Sequence, residues 1–217
     1  MLSDIGGIIN PDIEKISKFC KEKNILLLED AAHSFGSTLN NKFAGTFGDA
    51  GVYSYYSTKA IFAGEGGVAV TNNEKIGGLL KDFTAYDRFK QKMPIGCNIR
   101  LSEMQALMIF SVVNEYKTII KNKSKIAEKY IEECEKAKIK YIDQNKNSNL
   151  GNYYKFTIIS PNGNIDKVFP GIKTTTSKVY DYALGRNKEI PKRHLCLPIW
   201  YDLDNTISDK VLKELKN

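Results

Sequence analysis

The chain is poor in the side chains from which metal sites and cystine scaffolds are built. Its four cysteines, Cys20, Cys97, Cys134 and Cys196, show no C-x-x-C spacing, and its only histidines are His33 and His194, so neither a zinc site nor a disulfide framework is expected. Arginine is scarce too. Of 32 basic residues only Arg88, Arg100, Arg186 and Arg193 carry the guanidinium fork that reads base edges, so a net charge of +7 is not by itself a nucleic-acid footprint. Many lysines lie between 117 and 140, interleaved with Glu128, Glu132, Glu133 and Glu135, as on a solvated helix face. No apolar run reaches the length of a membrane span, and the opening MLSDIGGIINPDIEK has neither the cationic head nor the apolar stretch of a secretion signal; a cytoplasmic location is expected. Repeats and low-complexity segments are absent as well. What remains, in 217 residues, is 42% apolar and 11% aromatic, enough for a packed core.

Helix and strand signals alternate along the first half. Asn10 followed by PDIEKISKFCKEK predicts a helix with Asn10 as cap and Pro11 in the first turn, its Ile13, Ile16 and Cys20 on one face. ILLLED is a continuous apolar run, the pattern of a strand covered on both faces. DAGVYSYYS and GGVAVT read as further strands, and NNEKIGGLLKDFTAYD returns to helical spacing through Ile76, Leu79, Leu80 and Phe83, although Gly77 and Gly78 each weaken a helix by roughly 1 kcal/mol relative to alanine. SEMQALMIFSVVNEYKTIIKN opens with a capping box, Ser102 with Gln105. A separate helix, SKIAEKYIEECEKAK, carries Ile126, Tyr130, Cys134 and Ala137 along one stripe. IDQNKNSNLGN reads as a linker or loop, YYKFTIIS alternates like a strand, HLCLPIW is a short apolar segment, and SDKVLKELKN reads as a capped closing helix. The alternation predicts a layered α/β fold, with residues 1–120 forming one part and 121–217 a smaller one.

Chemistry is concentrated at two strand ends. Ligands of open α/β sheets lie outside the carboxyl ends of the strands, where Asp30 and the stretch after Tyr56 fall. Glu29 and Asp30 could be a loop pair that caps the adjoining turn, and Lys59 a solvated lysine. Yet Ser54, Ser57, Thr58 and the turn AGEGG surround that one amine with hydroxyls and permissive backbone, which suits a phosphate beside a lysine. Walker and Rossmann patterns do not match: Thr58 precedes Lys59 with no glycine in register, and Gly45, Gly48 and Gly51 are wrongly spaced. A carboxylate at one end, a lysine at the other and a phosphate seat between them is what pyridoxal 5'-phosphate requires.

LLLEDAAHSFGS, KFAGTFGDAGVYSYYSTKAIFAGEGGVAVTNNE and GCNIRLSEMQA, in this order and spacing, closely resemble the DegT/DnrJ/StrS family of PLP-dependent nucleotide-sugar aminotransferases, and HLCLPIWYDLDNTISDKVLKEL resembles its closing segment. The resemblance implies a PLP-transferase fold of type I, aspartate aminotransferase-like, with a truncated large domain over 1–120 and a small C-terminal α/β domain over 121–217. It implies that Lys59 holds the cofactor's aldehyde, that Asp30 faces the pyridinium nitrogen and that Ser54 binds the phosphate. His33 stands where the family often has glutamine near the ring's phenolic oxygen, with a packing histidine as the competing account. Asn98 matches an asparagine that family dimers send to the neighbour's phosphate, or is a turn residue. The implied reaction moves an amino group, with glutamate as donor, to a nucleotide-linked keto sugar; Arg88 and Arg100 are the candidates for the donor carboxylate. Lys59, where sugar dehydratases of this fold carry histidine, points to aminotransfer. Because family members begin before the residue matched by Met1, an incomplete sheet is expected, with an exposed edge and apolar surface, in a homodimer or beside a chain that supplies the missing part. An inactive or partner-dependent subunit, structural or regulatory, is the alternative.

Overall fold

The computed structural model describes the chain except for residues 86–95, 147, 162, 180–188 and 217. β1 (Leu2–Ser3) leads to α1 (Ile13–Glu22) and on to β2 (Leu28–Asp30), which lies parallel to β1 with Ser3 opposite Asp30. Parallel neighbours need such a crossover because no tight turn can join them. α1 begins later than its sequence suggests: Asn10 Oδ1 accepts the Asp12 N–H at 2.9 Å, an Asx turn that holds Pro11 and Asp12 outside the helix. A small hairpin comes next, β3 (Thr38–Leu39) and β4 (Lys42–Phe43), turning through Asn40 and Asn41 at φ 50° and 63°. β5 (Ala50–Ser54) then pairs parallel with β2, and β6 (Gly67–Val70) antiparallel with β5, giving the sheet order β1-β2-β5-β6. α2 (Glu74–Ala85) succeeds it with both of its glycines in the helix.

The sheet is covered on one face only, which corrects the expectation of a strand buried on both. Strand alternation sends Glu29 inward, 1% exposed, and places Leu28, Asp30 and Val52 together on the opposite face. There Leu28 is 47% and Val52 44% exposed, because no described element lies over them. The inner face packs with Ile9, Ile13, Cys20, Leu27 and Phe47.

α3 (Glu103–Val113) starts at the expected capping box: Ser102 Oγ accepts the Gln105 N–H and Gln105 Oε1 accepts the Ser102 N–H at 3.1 Å. The break after it falls at Asn114 and Glu115 rather than near residue 123, and α4 (Tyr116–Lys136) runs unbroken through the point where two helices were expected to meet. Residue 120 therefore lies inside a helix. Its beginning packs through Ile119 on Tyr55 and Ile61, while Ala127, Tyr130 and Cys134 enter a second core. The buried stripe is Ile119, Lys123, Ala127, Tyr130 and Cys134, so Ala137 is outside it and a lysine is within.

β7 (Lys140–Tyr141), β8 (Asn149–Leu150), β9 (Phe156–Ile159), α5 (Ile165–Val168), β10 (His194–Leu197) and α6 (Asn205–Leu215) complete the chain. β10, β9 and β7 form an antiparallel sheet that shares its core with α4 and α6 through Tyr130, Phe156, Ile158, Leu197 and Val211. α6 starts three residues ahead of the expected Ser208, because Asp204 caps it by accepting the Thr206 N–H at 2.6 Å.

The stretch read as a linker is a clamp. β8 joins the hairpin, pairing Leu150 with Thr38 and Asn149 with Leu39. Gln144 Nε2 donates to the carbonyls of Gly6 and Lys155, Asn149 Nδ2 to that of Ile9 at 2.8 Å, and Asn152 Nδ2 to those of His33 and Phe35 at 2.9 and 3.0 Å. Asn152 Oδ1 also accepts the Tyr154 N–H at 2.8 Å. Asn152→Ala is expected to lower stability by about 2 kcal/mol, since it leaves buried backbone groups unpaired. Urea unfolding checks this, and a loss below about 0.5 kcal/mol would mean that the clamp is dispensable.

Candidate active site

Asp30 is the last residue of β2, and its partners come from the adjoining turn and from the neighbouring strand. Its Oδ1 accepts the Ala32 N–H at 3.1 Å, and the Ser3 hydroxyl donates to Oδ2 at 3.4 Å. The turn Ala31–Ser34 carries His33 back over the strand end, where Nδ1 accepts the Gly6 N–H at 3.3 Å. That bond leaves the ring proton on Nε2. Burial, and then the Lys59 charge, push the His33 pKa down to about 4, against the pull of Asp30 and with Lys155 adding to the push. The imidazole is therefore neutral at physiological pH.

Glu29 has a different task. Its Oε2 accepts the Gly45 N–H at 2.8 Å and its Oε1 the Gly48 N–H, which fixes the GTFG turn against the inner sheet face. The acidic pair at the strand end is thus one structural carboxylate and one that faces outward, separated by the pleat.

Lys59 sits in a closed loop between β5 and β6. Tyr55 N–H donates to Gly66 O, Ser57 N–H to Gly64 O and Ala63 N–H to Tyr55 O, with Gly64 and Gly66 at φ 77° and 138°, values that side-chain-bearing residues rarely adopt. The Lys59 Nζ lies 4.6 Å from the centre of the Tyr154 ring. Burial lowers its pKa from the ordinary lysine value, and Asp30 opposes that shift, so the acid and the amine share one electrostatic neighbourhood. Tyr154 is the hub. It stacks on His33 with centroids 4.2 Å apart at 27°, its hydroxyl is 3.2 Å from Thr58 Oγ1, and the Lys155 amine lies 5.6 Å from its ring. Nothing in the sequence singles it out, since it precedes a strand some distance along the chain from the motifs it joins.

Ser54 ends β5, accepting the Tyr56 N–H at 3.3 Å and keeping its own proton to donate. Asn98 is exposed on the stretch ahead of α3, outside the Asp30, His33 and Lys59 group, and Arg100 is exposed on the same stretch. Arg88 lies outside the described residues. A pocket of about 540 Å³ opens beside Lys59, with Thr58, Lys123, Tyr154, Lys155 and Trp200 also on its wall, a size usual for small-molecule sites. Asp30, His33 and Ser54 are not on that wall. Among the described residues no cluster could hold a metal ion, and no helix is long and apolar enough to cross a membrane.

A sequence model of the DegT/DnrJ/EryC1/StrS aminotransferase family matches residues 1–182. GDP-perosamine synthase of Escherichia coli O157:H7 is 32% identical over 123 residues, covering 55% of this chain and 34% of that protein. The aminotransferase TlmJ of Streptoalloteichus hindustanus superposes with a TM-score of 0.85 at 18% identity, over 99% of this chain and 64% of that one. The E. coli GDP-4-keto-6-deoxy-D-mannose-3-dehydratase, solved with hydrated PLP bound, gives 0.80 at 23% identity over 99% and 66%. These superpositions establish the fold: nearly the whole chain has the α/β architecture of PLP-dependent aminotransferases of type I. The chain spans just under two thirds of those structures, and its match spans about a third of the curated relatives.

Proposed function

Because the chain belongs to the DegT/DnrJ/EryC1/StrS aminotransferase family, we propose that it is the lysine-bearing part of a PLP-dependent aminotransferase acting on a nucleotide-linked keto sugar, with glutamate as amino donor. The observation that carries this reading is the gathering of Lys59 and His33 on the Tyr154 ring, close enough to the Asp30 carboxylate for both to feel its charge. An amine of lowered basicity, a carboxylate at the strand end and a neutral imidazole that feels both charges would suit the aldehyde, ring nitrogen and phenolic oxygen of pyridoxal phosphate, and Ser54 has a hydroxyl proton to offer its phosphate. When bound, the cofactor supplies a carbonyl that captures amines and a ring that spreads the charge left on the substrate carbon.

The residues divide the remaining work. Lys59 Nζ would hold the cofactor and would serve as the base and acid that moves a proton at the substrate carbon; its lowered pKa would make this exchange easier near neutrality than for a surface lysine. Asp30 would favour a positive charge at the ring nitrogen. His33 would offer the N–H at Nε2 without changing charge, and Tyr154 covers one face of its ring. Asn98 would reach the phosphate of a neighbouring subunit. Apolar surface favours such an assembly: Leu28 and Val52 on the open sheet face, and Met104, Leu107 and Phe110 on α3, are all exposed.

Adding pyridoxal 5'-phosphate to the purified chain, then borohydride, and mapping the labelled peptide tests the proposal. A yellow protein with the cofactor fixed to Lys59 is expected. Folded, colourless protein with no adduct, both alone and with any chain that completes the sheet, would instead favour a structural or regulatory subunit.

A further inference from the structure

Lys123 occupies a position where an apolar side chain would be unremarkable. It lies four residues after Ile119 and four before Ala127 on the buried stripe of α4, and is 4% exposed. A buried ammonium is costly unless it is paired. Among the described residues Lys123 makes no hydrogen bond or ion pair, and the only charge that perturbs it is the like charge of Lys155. Both lysines line the pocket beside Lys59. Lys155 Nζ donates to Thr176 Oγ1 at 3.3 Å and to Ser177 Oγ at 3.1 Å. Thr176 donates its own hydroxyl proton to Cys196 O, whereas the Ser177 hydroxyl retains one to donate. Two amines and a hydroxyl thus line one cavity; Asp202 is on the same wall, and among the described residues it forms no ion pair with either amine.

We propose that Lys123 and Lys155 form an anion seat for the diphosphate of a nucleotide substrate, set apart from the hydroxyl at Ser54. This rests on the aminotransferase reading given above and names the residues that would hold its sugar nucleotide. A diphosphate linkage carries two negative charges, which matches two amines, and its non-bridging oxygens accept from the Ser177 hydroxyl as well. A dicarboxylate donor would offer the same charge. The nucleotide is favoured because the pocket also presents Trp200 and Tyr201, 41% and 48% exposed, as flat faces for a base, and an amino acid would leave these unused. Burial holds the Lys123 pKa down to about 7, so an arriving dianion would complete the protonation of that amine.

The seat is tested by calorimetric titration of the full chain, with and without pyridoxal 5'-phosphate, using inorganic pyrophosphate, GDP and glutarate as probes. Pyrophosphate and GDP are expected to bind, and Lys123→Met and Lys155→Met each to raise their Kd at least tenfold. Lys121→Met, on the exposed side of the same helix, should change neither. Lys123→Met should also raise the thermal midpoint, since it removes an unpaired buried amine, whereas a lysine kept only for packing would leave pyrophosphate binding unmoved. Equal pyrophosphate affinity in wild type and both variants, or glutarate held as tightly as pyrophosphate through the same two lysines, would overturn the proposal. A yellow, Lys59-labelled protein whose pyrophosphate binding ignores both lysines sinks this inference and leaves the aminotransferase reading standing; pyrophosphate binding that obeys the lysines in a protein that never colours does the reverse.

Discussion

Lys59→Ala is expected to abolish covalent capture of pyridoxal phosphate and, in an assembly that turns over, to cut the rate by roughly 10³-fold or more. Removing a positioned proton-transfer group alone typically costs about 10²–10⁴-fold, and here the same amine also holds the aldehyde. Lys123 and Lys155 make this a demanding test, because two other amines line the same pocket. If either could substitute, the variant would stay yellow and the borohydride label would move to its peptide, which would refute a unique role for Lys59. Lys59→Arg separates charge from nucleophilicity: it keeps a cation near the Tyr154 ring but cannot take the aldehyde, so it should be as colourless as the alanine variant.

Asp30→Asn should lower turnover by about 10²–10³-fold while leaving the protein folded. Opposite unit charges at about 4 Å in an effective dielectric near 20 attract by roughly 4 kcal/mol, and each 1.36 kcal/mol is a factor of ten in rate. The asparagine's Oδ1 still accepts the Ala32 N–H, and the Nδ2 that replaces Oδ2 can donate to the Ser3 hydroxyl oxygen, so the strand end keeps its hydrogen bonds with one of them reversed. A second readout does not depend on turnover. Asp30 holds the Lys59 pKa up against burial, so neutralising it should let that pKa fall further. The pH at which half the protein captures the cofactor would then shift downward. Near-normal turnover together with an unmoved capture profile would remove Asp30 from the site.

Much of the local architecture was legible in sequence because it depends on neighbours. The capping box at Ser102 and Gln105, the helical spacing of α2 and α6 and the apolar alternation of β9 are set by residues within a few positions of one another. Asp30 and Lys59 were singled out by their places at strand ends, with Ser54 among the hydroxyls near that lysine, whereas the role of His33, and of Ser54 as the phosphate's own partner, came only through the family resemblance; β2 and β5 are adjacent parallel strands that deliver their carboxyl ends to one edge. Other features had no local signal. Tyr154 meets Thr58 across 96 positions, and Asn152 meets His33 across 119, by a clamp whose sequence has the composition of a loop.

Periodicity by itself determined that this is an alternating α/β chain and set part of the apolar side of its helices, such as Tyr130 and Cys134 on α4, because a helix or strand repeats on its own dihedral angles. It could not determine whether that side is covered. Tertiary structure decided that Leu28 and Val52 remain open, that Lys123 is enclosed on the stripe of α4, and that one tyrosine gathers a histidine and two amines. Burial, and with it the basicity of Lys59 and Lys123, is a property of what packs on a residue from elsewhere in the chain, and no short stretch of sequence contains that information.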